Sequence, residues 1–169
     1  MLNHPGDEVI VLKNLVNSFL YQDILAMGGI RRPEVLDKLV QALALQIGSE
    51  VNCSELAQTV NVDKNTVSKY IDLLEKGFII FKLGSFSRNL RNEIKTSKKI
   101  YFVDNGIRNM IIGNFNPLSL GSDKGALWEN FLISERIKQL EYKESLAQSY
   151  LWRSSIQQEV DMCRIKPDS

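Results

Sequence analysis

Between Leu56 and Leu74 the apolar positions keep a helical period but change phase once. Leu56, Ala57 and Val60 recur at helical spacing, and Val67, Tyr70, Ile71 and Leu74 then fall at i, i+3, i+4 and i+7. Each set defines one buried face of a short helix. Asn61 and Val62 supply the turn, with Val62 plugging the angle between the helices, and Asp63 is placed to accept from the free backbone donors of the second helix. Asn65, Thr66, Ser68 and Lys69 stay on the polar side. The pattern is a helix-turn-helix. Its second helix is built as a recognition helix is built, and equally as an exposed helix of any small bundle.

The flanking periodicity extends this unit. Val9, Leu12, Leu15, Val16, Phe19, Leu20 and Ile24 run at three- and four-residue steps, predicting one amphipathic helix from Val9 to about Met27, stopped by Gly28 and Gly29. Pro33 stands in the first turn of a helix from about Arg32 to Ile47, whose core stripe is Leu36, Leu39, Val40, Leu43, Ala44 and Ile47. Gly77 is the expected glycine stop of the recognition helix, and Phe78–Phe81 and Lys99–Val103 are β-prone runs. Three helices and a hairpin make a winged helix. Asp104 or Asn105 then caps a short helix holding Ile107, Met110 and Ile111. A long helix from about Lys124 to Lys143 and strands at 149–153 and 158–165 complete the chain. Two strands and one helix are too few to bury both faces of a sheet, so this last third is expected to be an incomplete domain.

Composition narrows the class. With 44% hydrophobic and 24% charged residues, the 169-residue chain has the profile of a soluble globular protein of one or two small domains. No apolar run approaches the roughly 20 residues a bilayer requires, and Asp7 and Glu8 interrupt any secretory signal, so no membrane association is expected. Two cysteines and a single histidine exclude a standard structural zinc site and fit free thiols in a reducing cytoplasm. The net charge of +1 gives no bulk attraction to nucleic acid. The distribution is more informative: from Lys82 to Lys99 six basic residues stand against Glu93 alone, a local +5. Lys82, Arg88 and Arg91 in this stretch are candidates for phosphate contacts, beside Lys64, Asn65, Thr66, Ser68 and Lys69 for the groove. A solvated hairpin loop explains the same charge. The recognition helix itself is neutral, Lys64, Lys69 and Lys76 balancing Asp63, Asp72 and Glu75.

Chemistry has one candidate constellation. Glu129 on the long helix and Asp161 on the last strand are carboxylates from a helix and a strand, the hard-oxygen set that magnesium-dependent phosphodiester cleavage uses. A plain surface glutamate and an Asp161–Arg153 pair across the hairpin account for them as well. No phosphate-binding loop or dinucleotide fingerprint is present, and the chain alone is expected to have no ATPase or acyl-transfer activity.

Several segments taken together resemble one family: Leu20–Leu25, Leu43–Val51, Thr66–Glu75, Phe86–Arg91, Lys99–Asn109, Gly125–Phe131 and Glu159–Asp161. Their order is similar to the C-terminal region of a large group of bacterial and archaeal AAA-type ATPases, in which a P-loop module precedes a winged helix and a domain of unknown function. The resemblance implies an ATPase module N-terminal to this chain, with ATP and magnesium as cofactors of the full-length protein and none in the chain itself. It also implies a restriction-endonuclease-like start from about Gly113, with Glu129 as helix glutamate and Asp161 as first strand acid, the following acid-x-lysine strand being absent. The expected fold is therefore α+β, a winged helix-turn-helix followed by an incomplete restriction-endonuclease-like α/β segment. Residues 1–30 would form a helix joining to the ATPase module, 31–104 the winged helix, and 105–169 the nuclease-like start. The expected function is a nucleic-acid-binding, regulatory winged helix of a multidomain ATPase, with DNA, the ATPase module and further copies of the chain as partners. The alternatives are an interaction module coupling the ATPase core to the C-terminal domain, and a metal-dependent nuclease active only at full length.

Overall fold

The computed structural model describes residues 7–18, 24, 26, 30, 32–84, 98–116 and 123–143, the side chain of Glu8 excepted, and the backbone of 148–153 and 159–165. In chain order the elements are α1 (Asp7–Asn17), α2 (Pro33–Leu45), α3 (Cys53–Val60), α4 (Lys64–Lys76), β1 (Ile80–Gly84), β2 (Lys98–Phe102), α5 (Asn105–Ile112), α6 (Lys124–Tyr142), β3 (Gln148–Arg153) and β4 (Glu159–Ile165).

The helix boundaries have local causes. Asn52 caps α3, its Oδ1 accepting the Ser54 and Glu55 amides at 2.9 and 3.4 Å, and Asp104 caps α5 by accepting from Gly106 and Ile107. Three helices end in the same crossed pair of backbone bonds, the Schellman arrangement. Asn61 and Val62 donate to Gln58 and Ala57, Phe78 and Ile79 to Glu75 and Leu74, and Gly113 and Asn114 to Met110 and Asn109. The left-handed residues are Asn61 (φ +56°), Phe78 (φ +56°) and Gly113 (φ +65°). At the end of α4 the expected glycine stop is therefore displaced by one residue. A Cβ at Gly77 would lie 2.8 Å from Cδ1 and Cγ1 of the buried Ile24. Gly77 serves that close approach, and the exposed Phe78 takes the left-handed turn.

The core forms as the periodicity indicates. Leu36, Leu39, Val40, Leu43 and Ala44 of α2, Leu56 and Val60 of α3, and Val67, Tyr70, Ile71 and Leu74 of α4 are all buried in one cluster. Helix α1 buries a narrower stripe than its sequence suggests: Val16 is buried and Leu12 half-buried, but Val9 and Leu15 are 40% and 43% exposed. The remainder of the helix expected to reach Met27 lies largely outside the described residues.

The winged helix is present, α2–α3–α4 followed by the antiparallel β1–β2 hairpin with Ile80 opposite Phe102 and Gly84 opposite Lys98. Residues 48–51 add a short third rung to β2, the Gly48 amide donating to Ile100 and the Val51 amide to Lys98, each at 3.0 Å. Helix α5 belongs to the same core. Ile107 is buried in it, and Met110, Ile111 and Ile112 pack against it. The expected domain boundary at 104/105 would cut through this core rather than between two.

Beyond α5, the helix and the two strands expected near the end are present as α6, β3 and β4. The β3–β4 hairpin is a separate two-stranded antiparallel sheet, with β3 touching β1 and β4 touching α6. No described helix is long and apolar enough to cross a membrane.

Substituting Phe78 by glycine should relieve the left-handed backbone and stabilise the protein by about 1 kcal/mol. Gly77→Ala should instead force a methyl into Ile24 and cost about 1–3 kcal/mol. Urea unfolding of both variants measures the two signs, which must be opposite.

Candidate nucleic-acid interface

Helix α4 owes its start to Asp63, which accepts the Thr66 amide at 2.9 Å through Oδ1 and the Thr66 hydroxyl at 2.6 Å through Oδ2. The Thr66 hydroxyl and amide hold the Asp63 carboxyl below its ordinary range. Of the five groove candidates, Lys64, Asn65, Ser68 and Lys69 are exposed, while Thr66 is half-buried with its hydroxyl already donating to the cap. Asn65, Ser68, Lys69 and Asp72 share one outward stripe at i, i+3, i+4 and i+7, opposite the buried Val67, Tyr70, Ile71 and Leu74.

Asp72 is the unfavourable member of that stripe for a polyanionic ligand, and Lys82 answers it. The Lys82 ammonium on β1 lies 2.6 Å from Asp72 and 2.7 Å from Glu75, and the Lys82 amide also donates to Glu75 at 3.2 Å. Burial opposes the lysine's charge, but the hydrogen bonds it donates to Asp72 and Glu75 outweigh it and raise its pKa. Lys82 was expected on phosphates. Its ammonium offsets one of the two carboxylate charges of Asp72 and Glu75 and ties the recognition helix to the wing, because β1 runs beside the last turns of α4. A basic residue in the wing strand aligned with two acids on the outward side of α4 is a sequence signal for this pairing, but the pairing distance is set only by the fold. Arg88 and Arg91 lie outside the described residues.

Glu129 has described partners, while the side chain of Asp161 lies outside the described residues. The Glu129 carboxylate accepts from the Tyr101 hydroxyl at 2.6 Å and faces the Lys99 ammonium at 3.5 Å, both on β2. It is thus a docking group between α6 and the wing. Asp161 lies on β4 beside a register irregularity between Tyr150 and Trp152, and the backbone register sets Arg153 opposite Glu159. The expected cross-strand pair of Arg153 with Asp161 involves side chains that lie outside the described residues. Among the described residues no three His, Cys, Asp or Glu side chains cluster as metal ligands do.

The residue that follows Glu129 carries no local signal of its role. Asn130 is fully buried: its Oδ1 accepts the Phe102 amide at 2.8 Å, and its Nδ2 donates to the Phe102 carbonyl at 3.0 Å and to Asn105 Oδ1 at 2.8 Å. Only one orientation of the amide satisfies all three bonds. Arg108, 2% exposed, donates from Nε to the Ala44 carbonyl at 2.9 Å and pairs with Asp123 just before α6. Polar residues at otherwise buried positions were the available signal, invisible until burial is known.

A sequence-family model described as a domain of unknown function (DUF8612) matches residues 2–118. An uncharacterized protein of Haemophilus influenzae is 29% identical over 155 residues, covering 89% of this chain and 35% of its own length. An uncharacterized protein of Mycobacterium tuberculosis is 29% identical over 150 residues, covering 87% of this chain and 33% of its own. The chain thus spans about a third of the length of these curated relatives. Among solved structures, the PcaV transcriptional regulator from Streptomyces coelicolor is 15% identical with a TM-score of 0.35, covering 83% of this chain and 99% of that one.

At neutral pH, Asp63→Ala should unfold at a lower temperature than the wild type. The folded-state pKa of Asp63 is depressed, so its contribution is complete above the ordinary aspartate value of about 4 and fades as pH falls through the folded value. Melting curves across acid pH should therefore converge for the two proteins. A gap that widens in acid would refute this origin. Lys82→Met should lower stability by about 1 kcal/mol, a modest amount because Asp72 is half exposed. Urea titration of that variant checks the value.

Proposed function

The chain belongs to the DUF8612 family of unknown function, and we propose that it is a duplex-DNA-binding, regulatory winged-helix region of a larger protein. The observation that carries this reading is the outward stripe of α4. Asn65, Ser68 and Lys69 stand exposed there beside Lys64, and the acids farther along the helix are already matched by Lys82. Lys64 and Lys69 against Asp63 give the N-terminal half of the helix a net charge of +1, and Lys82 offsets part of the acidic charge beyond it. Lysines at that end supply sequence-independent phosphate attraction, while Asn65 has the donor–acceptor fork suited to a base edge. The larger protein is read from the family resemblance as an AAA-type ATPase that uses ATP and magnesium in a module outside this chain. Relatives about three times as long are compatible with such a module.

A second reading, an interaction module that holds two parts of a multidomain protein together, is favoured by α1. Its Val9, Ile10, Val11 and Leu15 side chains are 40–60% exposed on a helix whose other side packs on the winged-helix core. The nuclease reading, with its restriction-endonuclease-like segment, draws no support from Glu129, whose carboxylate is held by Tyr101 and Lys99. It rests on Asp161 and on a strand outside this chain.

Fluorescence anisotropy with a duplex oligonucleotide separates the first two. DNA binding should weaken steeply with salt, and replacing both Lys64 and Lys69 by alanine should reduce the log–log salt slope by about 2. Binding that is absent at low salt, or a slope unchanged in the double variant, would leave the interaction reading in its place.

A further inference from the structure

The wing of this protein is held from behind. Strand β2 is buried on both faces: Ile100 and Phe102 enter the winged-helix core, and Tyr101 enters a second cluster with Leu83 and Ile133 of α6. The attachment to α6 is polar and specific. Asn130 holds both backbone groups of Phe102, and Glu129 takes the Tyr101 hydroxyl and faces Lys99. On β1, Phe81 and Lys82 pair with Tyr101 and Ile100. The next link is the Lys82 ammonium on Asp72 and Glu75 of the recognition helix.

We infer that docking of α6 on β2 is a conformational control of the recognition helix: with α6 seated, Lys82 is held against Asp72 and Glu75, and displacement of α6 withdraws that cation from the two carboxylates and makes that end of the helix surface more negative. Glu129 and Asn130 are then positioning residues for a DNA surface they do not touch. The chain of contacts is continuous, α6 to β2 to β1 to α4, and each link is a strand pairing or a hydrogen bond with discrete geometry. Such a path earns the name of coupling only when its ends are shown to depend on each other. The inference rests on the DNA-binding reading for its consequence, but the linkage itself does not.

A double-mutant cycle of Asn130→Ala and Lys82→Met tests it. Asn130→Ala should weaken duplex binding by at least about fivefold, and the same substitution should add almost nothing in the Lys82→Met background, where the cation is already gone. A folded Asn130→Ala protein that binds as the wild type does, or loses affinity equally in both backgrounds, overturns the linkage. If the wild-type protein binds no DNA, the functional proposal fails, and the linkage is read from urea unfolding instead. There, less-than-additive effects of the two substitutions support it and additive effects overturn it. Should Asn130→Ala not fold, Glu129→Gln and Tyr101→Phe, which keep the side-chain volumes, replace it in the same cycle with the same criteria.

Discussion

The bond pair between the Asn130 side chain and the backbone of Phe102 is the constraint on which the arrangement of the wing depends. A strand buried on both faces must satisfy the amide and carbonyl that face away from its pairing partner, since an unpaired buried peptide group costs about 1–3 kcal/mol. A carboxamide is the side chain that can donate and accept at once. Asn130 does both, and its spare donor reaches Asn105, whose own amide donates to the Leu127 carbonyl at 2.9 Å. The result is a continuous seam from β2 through the start of α5 to α6. Arg108 extends it to α2 through the Ala44 carbonyl and back to the start of α6 through Asp123. The first residues after the wing are therefore as much part of the winged-helix unit as the hairpin itself.

This seam changes the meaning of Glu129. In isolation a helix glutamate next to a strand aspartate suggests a metal pair. In the structure the glutamate sits 2.6 Å from a tyrosine hydroxyl that is fully buried, and its neighbour Asn130 occupies the strand backbone. Gly48 completes the fit, since a Cβ there would approach the Glu129 carboxylate to 3.2 Å and Tyr101 Cε1 to 3.6 Å. The tight turn after α2, with Gly48 at φ +74°, thus admits both the third rung of the sheet and the carboxylate of α6.

Much of the fold was legible from periodicity. The stripes of α2, α3 and α4, the caps at Asp63 and Asp104 and the two strands of the wing all follow from local spacing and local hydrogen-bonding capacity. The candidate site was legible only as a list of exposed residues on α4, with the cap that consumes Thr66 readable in principle from Asp63-x-x-Thr66. What the spacing did not give was the partner of each charge. Lys82 looked like a phosphate contact because six cations cluster near it in sequence, yet its nearest neighbours in space come from seven and ten residues earlier.

The amino-acid sequence by itself determined the helix-turn-helix, the order of the elements and the buried face of each central helix, because those depend on interactions a few residues apart. Tertiary structure decided which polar groups became internal. Asn130, Arg108 and Lys82 are indistinguishable from surface residues until a strand, a carbonyl or a pair of carboxylates is brought against them. Contacts between α6 and β2, separated by 28 residues, carry no periodic signature, so their chemistry is written in the sequence but their pairing is not. The displaced glycine at the end of α4 has the same cause: Gly77 answers to Ile24, far back in the chain, and Phe78 takes the turn that local rules assign to glycine.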